Sequence, residues 1–123
     1  MTAEGDVIEE RDVIEMIEMV DARTDSLMGL INRGFPESGG DESWRARRII
    51  AYGALCEPCE RQGRSKPASH TVDFDVPGAC EHVPVCGERD CLRYVVGWVA
   101  NDLKRQRGWV DWDTFSVDGR GRG

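Results

Sequence analysis

The sequence contains no run of about 18 apolar residues, which is the length that a membrane-spanning helix requires. The amino terminus, MTAEGDVIEERDV, is acidic and lacks the basic start and the apolar run of a secretory signal peptide. These absences exclude a transmembrane helix and predict a cytoplasmic protein that does not bind membranes. In that reducing compartment, the five cysteines are expected to be metal ligands or free thiols rather than disulfides.

Histidine and lysine are scarce, with two residues of each, whereas arginine is abundant, with 14. An excess of arginine over lysine is typical of GC-rich genomes, and a bacterial, phage or archaeal source would fit it. The sequence also lacks a P-loop, a glycine-rich nucleotide-binding pattern and the serine elbow of hydrolases. These absences argue against nucleotide-dependent and serine-hydrolase enzymes.

Charge is distributed unevenly along the chain, whose net charge is −7. Residues 1–42 hold 12 acidic and 3 basic residues, residues 43–110 hold 8 and 11, and residues 111–123 hold 3 and 2. This division, in a chain long enough for one compact domain and an appendage, predicts three parts. They are an acidic N-terminal helix and loop over 1–42, an α+β domain over 43–110, and a tail over 111–123 that is acidic and aromatic and then rich in Gly and Arg.

The N-terminal part has the pattern of a long amphipathic helix. Its apolar stripe has steps of four and three residues, with Thr24 at one step, and consists of Val13, Ile17, Val20, Leu27 and Ile31. The helix is expected to begin after Asp6 and to end before Gly34. It either packs on its own domain or joins two copies in a homodimer through residues 7–33. A second helix is predicted over about 42–55.

Four of the five cysteines form two pairs, Cys56 with Cys59 and Cys86 with Cys91. The first pair has C-x2-C spacing, in which two thiolates of one turn can reach the same ion. Between the pairs, HTVDFDV and ACEHVPVC read as two strands around a Pro-Gly turn, and a helix follows. Cys86 would then end a strand, and Cys91 would lie in the first helical turn. We predict a Zn²⁺ site formed by all four cysteines, which is structural because no position stays open for water.

Two other residues remain alternative ligands. Cys80 and His82 lie two positions apart on the second predicted strand, so their side chains face the same way, and either one could replace Cys91. A buried apolar role is the competing interpretation for Cys80. His70 is expected at a strand edge, with a surface or hydrogen-bonding role.

The order of C-x2-C turn, hairpin, second cysteine pair and helix, over about residues 54–107, resembles the treble-clef zinc fingers. The resembling segments are CEPC, HTVDFDVPGACEHVPVC and CGERDCLRYVVGWVANDL. In that family a zinc knuckle and the first turn of a helix each supply two ligands. The resemblance implies a small zinc-stabilised α+β domain, here preceded by a long amphipathic helix and a second helix. The four-residue gap in CGERDC departs from the family, in which two residues are usual.

The stretch Glu81–Pro84 is similar to the start of the HNH nuclease motif, in which a histidine activates water. That motif also needs an asparagine in the following loop and a further histidine on the next helix. The loop here holds neither residue, and no histidine follows His82. We therefore predict no catalytic residues and no enzyme activity.

Two binding functions remain, and the first is a protein-interaction module, such as a small regulator. The net negative charge favours it, and so does the tail WVDWDTFSVD, which interleaves aromatic and acidic residues. Large aromatic side chains are frequent interface anchors, so the candidate partner-binding residues are Trp109, Trp112 and Phe115. In the competing interpretation, these rings fold back and cover the small core.

The second function is that of a nucleic-acid-binding regulator. Basic residues surround the first cysteine pair and would contact phosphates in a salt-dependent way; they are Arg45, Arg47, Arg48, Arg61, Arg64 and Lys66. A second basic group lies on the last predicted helix and comprises Arg89, Arg93, Lys104, Arg105 and Arg107. The overall negative charge opposes this function because it repels polyanions at long range.

Overall fold

The computed structural model describes residues 10–33, 48–50, 52–76 and 79–119, without the side chains of 76, 79, 80 and 119. The described chain is α+β. Its elements are helix α1 (Glu10–Arg33), helix α2 (Glu57–Arg61), strands β1 (His70–Val76) and β2 (Ala79–Val85), helix α3 (Arg89–Arg107), a 3₁₀ turn (Trp112–Thr114) and strand β3 (Ser116–Gly119). Of the second predicted helix, residues 48–50 are helical, whereas 42–47 and 51 lie outside the described residues. The helix does not reach residue 55 as predicted, because Tyr52 and Gly53 form a turn and Leu55 pairs with Pro67.

The three strands form one antiparallel sheet in the order β2–β1–β3. Val72 at its centre pairs with Val83 on one side and with Val117 on the other. These three valines are buried on one face, as the alternation in the sequence predicts. The hairpin of β1 and β2 is therefore confirmed. The third strand was not predicted, and it makes β1 the central strand, so that His70 does not lie on a sheet edge.

Helix α3 packs on the apolar face of the sheet. Its predicted inner side is buried throughout and comprises Cys91, Leu92, Val95, Val96, Val99 and Leu103. The helix ends at Gly108, which adopts φ 85° and donates its N–H to the carbonyl oxygen of Lys104 over 2.8 Å. This left-handed position favours glycine, as expected for the residue that follows a helix. The sequence predicted both the buried side and the end of α3.

Helix α1 runs antiparallel to α3 and packs beside it. Asp25 pairs with Arg89, and one turn away Asp21 accepts a hydrogen bond from Arg93 Nε over 2.6 Å. Three consecutive members of the predicted stripe are buried here, and they are Val20, Thr24 and Leu27. The Thr24 hydroxyl donates to the carbonyl oxygen of Val20 over 2.7 Å, which satisfies its polar group in the core.

The first part of the same stripe is not covered. Val13 and Ile17 are 41% and 43% exposed. Helix α1 thus docks on its own domain chiefly from Val20 onward, whereas Val13 and Ile17 nearer its start present apolar side chains at the surface. Neither α1 nor any other helix in the described ranges is both long and apolar enough to cross a bilayer.

Candidate metal centre

The first cysteine pair lies in a tight turn that begins helix α2. Cys56 donates its backbone N–H to the carbonyl oxygen of Lys66 over 2.8 Å, which ties the two ends of the loop together. Pro58 occupies the start of α2, where a missing N–H costs nothing. After the helix, the N–H groups of Gln62 and Arg64 both donate to the carbonyl oxygen of Cys59. The turn therefore holds both thiols on the inner side of the loop.

The second pair lies where β2 turns into α3. Cys86 directly follows the strand, and Cys91 is the third residue of the helix. Between them Gly87 adopts φ 90°, a left-handed conformation that other residues rarely adopt. This turn brings Cys86 back over the first turn of α3. The four-residue gap between the two cysteines is thereby accommodated without moving Cys91 out of the site.

The four predicted cysteines come together, with all their Sγ atoms within 4.8 Å of one another. Cys91 Sγ lies 3.8 Å from Cys59 Sγ and 3.7 Å from Cys86 Sγ. A tetrahedral ion with bonds of about 2.3 Å to sulfur separates its ligands by about 3.8 Å. A disulfide would need about 2.05 Å between the sulfurs. The spacing and the all-sulfur donor set therefore fit a single tetrahedral metal ion.

Three of these thiols have shifted pKa values, and burial acts on each of the three. Burial raises the pKa of Cys56 to about 11, and it also raises the pKa of Cys91. Burial acts in the same direction on Cys86, but the backbone N–H of Glu88 and the neighbouring thiols outweigh it and lower the pKa of that thiol. Because metals bind thiolates, a metal ion would displace protons from this cluster.

A second layer of groups surrounds the sulfurs. Arg64 Nη2 lies 3.5 Å from Cys59 Sγ. Ser69 Oγ donates to the carbonyl oxygen of Cys86 over 3.3 Å and lies 2.7 Å from His70 Nδ1. His70 is only 9% exposed. Ser69 and His70 thus brace the turn after β2, a role for Ser69 that the sequence analysis missed because the contact joins distant parts of the chain.

The alternative ligands have different outcomes. The side chain of Cys80 lies outside the described residues, so its alternative stays a prediction. His82 is not part of the cluster found among the described residues. Its Nδ1 lies 2.7 Å from Asp73 Oδ1, which also accepts a hydrogen bond from Thr71 over 2.8 Å. His82 therefore belongs to a separate polar group on the opposite face of the sheet.

That polar group is buried, although the sequence pattern placed it on the polar face of the hairpin. Thr71 is fully buried and Asp73 is 8% exposed. Burial raises the pKa of Asp73 above its usual range, and the hydrogen bonds from His82 and Thr71 oppose this shift without cancelling it. Both faces of β1 are thus covered.

The described basic residues near the first cysteine pair have partners within the chain. Arg61 binds Glu57 over 3.0 Å and lies over the ring of Trp98, 4.9 Å from its centroid. Lys66 pairs with Glu88, and Arg48 lies over the ring of Tyr52. Arg45 and Arg47 lie outside the described residues. The described members of this group are engaged in local contacts rather than gathered into one unpaired patch.

The three tail aromatics divide between core and surface. Phe115 is 2% exposed and contacts Phe74 with ring centroids 5.9 Å apart, so it is a core residue and not a surface anchor. Trp112 is partly buried and stacks on Phe115. Trp109 is 55% exposed, with Arg107 over its ring. The interpretation in which the tail rings fold back and cover the core is therefore correct for Phe115. Trp109 remains available at the surface.

A scan against protein-family models, a search of curated proteins and a search of solved structures each found no match to this chain. Functional interpretation therefore rests on the four-cysteine centre and on the surfaces around it.

Proposed function

We propose that the chain is a non-catalytic protein-interaction module whose fold depends on one structural Zn²⁺ ion. The observation that carries this proposal is the group of four sulfurs spaced like the corners of a tetrahedron. Four thiolates complete the coordination of zinc and leave no position for water or substrate. Zinc is preferred to other divalent ions because soft thiolate ligands in a tetrahedron select it, with iron as the competitor.

The same arrangement supports the treble-clef assignment. The first two ligands, Cys56 and Cys59, come from the turn at α2, and Cys91 comes from the first turn of α3. The β1–β2 hairpin lies between the two pairs in sequence. This is the order of elements in the treble-clef zinc fingers, with a longer gap before the last ligand.

A protein partner is favoured over nucleic acid by charge and by exposed side chains. The net charge is −7, and the described basic residues around the first cysteine pair are engaged within the chain. Trp109, Trp98 and Tyr94 are 55%, 41% and 42% exposed. Exposed Trp and Tyr are typical of binding hot spots.

Elemental analysis of the purified protein tests the metal. We expect one zinc per chain in the wild type and none in Cys59→Ser, which should also be unfolded. Cys80→Ser is the matched control, because four sulfurs already complete the site, and it should keep both zinc and fold. Iron in place of zinc, or a full metal content in Cys59→Ser, would contradict the proposed centre.

A gel-shift assay with generic DNA and RNA, at low and moderate salt, tests the choice of partner. We expect no retardation at either salt concentration. In parallel, a pull-down with the wild-type chain as bait should retain a protein. That protein should be absent after metal chelation and when the Trp109→Ala variant is the bait. Retardation of nucleic acid that declines steeply with salt would instead support the nucleic-acid-binding regulator.

A further inference from the structure

The α1–α3 hairpin has a surface on which large apolar side chains of both helices stay partly exposed, with Arg61 lying over one of them, the ring of Trp98. Ile14 and Ile17 of α1 are 50% and 43% exposed, and Tyr94 and Trp98 of α3 are 42% and 41% exposed. We call this surface the hairpin face. A shallow groove of about 350 Å³ runs along it, and Ile17, Tyr94, Gly97 and Asn101 are among its lining residues.

Both helices present the same spacing on the hairpin face. The residues on α1 are Glu10, Ile14, Ile17 and Asp21, and those on α3 are Tyr94, Trp98, Asn101 and Arg105. Each series has steps of four, three and four residues, which is the seam that interlocks helices in coiled coils and four-helix bundles. A face with two such seams side by side fits another pair of helices.

The two helices also carry opposite charge. Helix α1 holds six acidic and three basic residues, and α3 holds two acidic and five basic residues. We propose that the hairpin face binds a second copy of this chain, with a two-fold axis parallel to the helices. That axis places the acidic α1 of one copy over the basic α3 of the other. An axis across the helices would instead place α1 on α1 and bring acidic residues together.

The alignment inside the hairpin sets the contacts of this dimer. Because Asp25 pairs with Arg89 and Asp21 with Arg93, the first residue of α1 lies level with the last turns of α3. Glu10 would therefore face Arg105 of the partner subunit. Ile17 would face Trp98 of the partner subunit, which joins two exposed apolar side chains.

The hairpin face is large enough for a small interface, because two copies would bury more than about 1,000 Å² in total. Helix α3 has 19 residues, which gives a length of about 28 Å, and two adjacent helices are about 20 Å across. The flat area is about 560 Å² per copy, and interlocking side chains bury more than the flat area. Stable interfaces bury about 800 Å² per partner. This inference rests on the proposed interaction role, but it does not require zinc as the metal.

Light scattering after size exclusion, over a range of protein concentrations, tests the dimer. We expect the wild type to approach twice the chain mass of 13.8 kDa. Ile17→Glu should be monomeric, because it buries a charge in the apolar centre of the interface. Met19→Glu is the matched control: Met19 is 45% exposed on the opposite side of the same helix, beside Trp109, and its substitution should leave the dimer intact.

A charge exchange tests the axis. Glu10→Arg and Arg105→Glu should each weaken the dimer about tenfold, because each substitution occurs twice in a symmetric interface. The double variant should restore wild-type association. Metal content and circular dichroism of every variant report its folding, and Trp98→Ala replaces Ile17→Glu if the latter is unfolded.

A wild type that stays monomeric up to several hundred micromolar would overturn the dimer, and so would a dimer that survives both Ile17→Glu and Trp98→Ala. Single charge variants that associate like the wild type would overturn the axis. A monomeric protein that still binds one zinc per chain would leave the proposed metal centre intact, so the two failures are distinguishable.

Discussion

The metal end of the molecule and the α1–α3 hairpin are stabilised in different ways. At the metal end, residues 60–67 are exposed without interruption, and the buried side chains next to them are chiefly those of Cys56, Pro58 and Cys59. In the α1–α3 hairpin, buried residues such as Leu27, Leu92 and Leu103 form the aliphatic part of the apolar cluster, which Cys56, Cys59 and Cys91 join at the metal end. One region is thus organised around four sulfur atoms, and the other around aliphatic side chains.

The difference shows why a small domain benefits from a metal. The chain around the first cysteine pair is a short loop and α2, and residues 60–67 of it are exposed, so apolar burial offsets little of the entropy of ordering them. In the proposed metal centre, a bound ion would contribute that stability through four bonds instead. In the α1–α3 hairpin, two helices and a sheet bury apolar surface together, so local stability there depends less directly on the ion.

Among the changes that separate the two regions, removal of the metal should lower stability the most. A structural zinc contributes on the order of 10 kcal/mol, which is comparable to the whole stability of a small domain. We expect a strong chelator to abolish amide protection over residues 54–69, as measured by hydrogen exchange, and added zinc to restore it. Undiminished protection of this segment in the metal-free protein would show that the metal end does not depend on its ion.

Leu27→Ala should have the next largest effect, confined to the hairpin. Leu27 is 1% exposed, so its truncation should lower the free energy of unfolding by about 2–5 kcal/mol. Ile14→Ala, on the same helix but 50% exposed, is the control and should change it by less than about 0.5 kcal/mol. Chemical denaturation measures both. Equal effects of the two substitutions would mean that the two halves of α1 are not packed differently.

A glycine substitution sharpens the description of the metal end. Gly87 and Gly63 adopt φ 90° and 83°, so alanine at either position should cost about 1–2 kcal/mol of stability. Gly87 adjoins Cys86, and relief of the backbone strain there would move a ligand. We therefore expect only Gly87→Ala to lower zinc affinity, by about tenfold, in competition with a chromophoric chelator. Equal zinc affinities in the two variants would argue against a preformed turn at Cys86.

Titration of the buried Asp73 carboxyl, on the other face of the sheet, should have the smallest effect on stability. Burial raises the pKa of Asp73 above its ordinary value of 3.8, so the folded protein binds this proton more readily than the unfolded chain. The contribution of Asp73 to stability is then greatest below pH 3.8 and declines as pH rises through the folded pKa.

Stability measured against pH tests this sign. Relative to Asp73→Asn, the wild type should lose stability as pH rises from 3.8 through the folded pKa of Asp73. Thr71→Val removes a hydrogen bond that lowers the pKa of Asp73, so it should move the window to higher pH. A difference between wild type and Asp73→Asn that is independent of pH would contradict the assignment.

Local patterns predicted the elements around the four cysteines. The C-x2-C turn, the alternation of HTVDFDV and the inner side of α3 each depend on residues close together in sequence, and the structure has all three. The gap in CGERDC looked like a departure from a known arrangement. The left-handed turn at Gly87 resolves it, and the backbone angles of a glycine cannot be read from its neighbours.

The sequence by itself determined which cysteines can share an ion and where the β1–β2 hairpin and α3 lie, because spacing and side-chain periodicity act within one element. Only the tertiary structure decided that β3 completes the sheet, that the polar face of β1 is buried, and that the apolar stripe of α1 is buried from Val20 but not at Val13 and Ile17. Those outcomes depend on contacts between residues far apart in the chain. No local pattern encodes them, because the burial of a side chain is decided by the partner that lies against it.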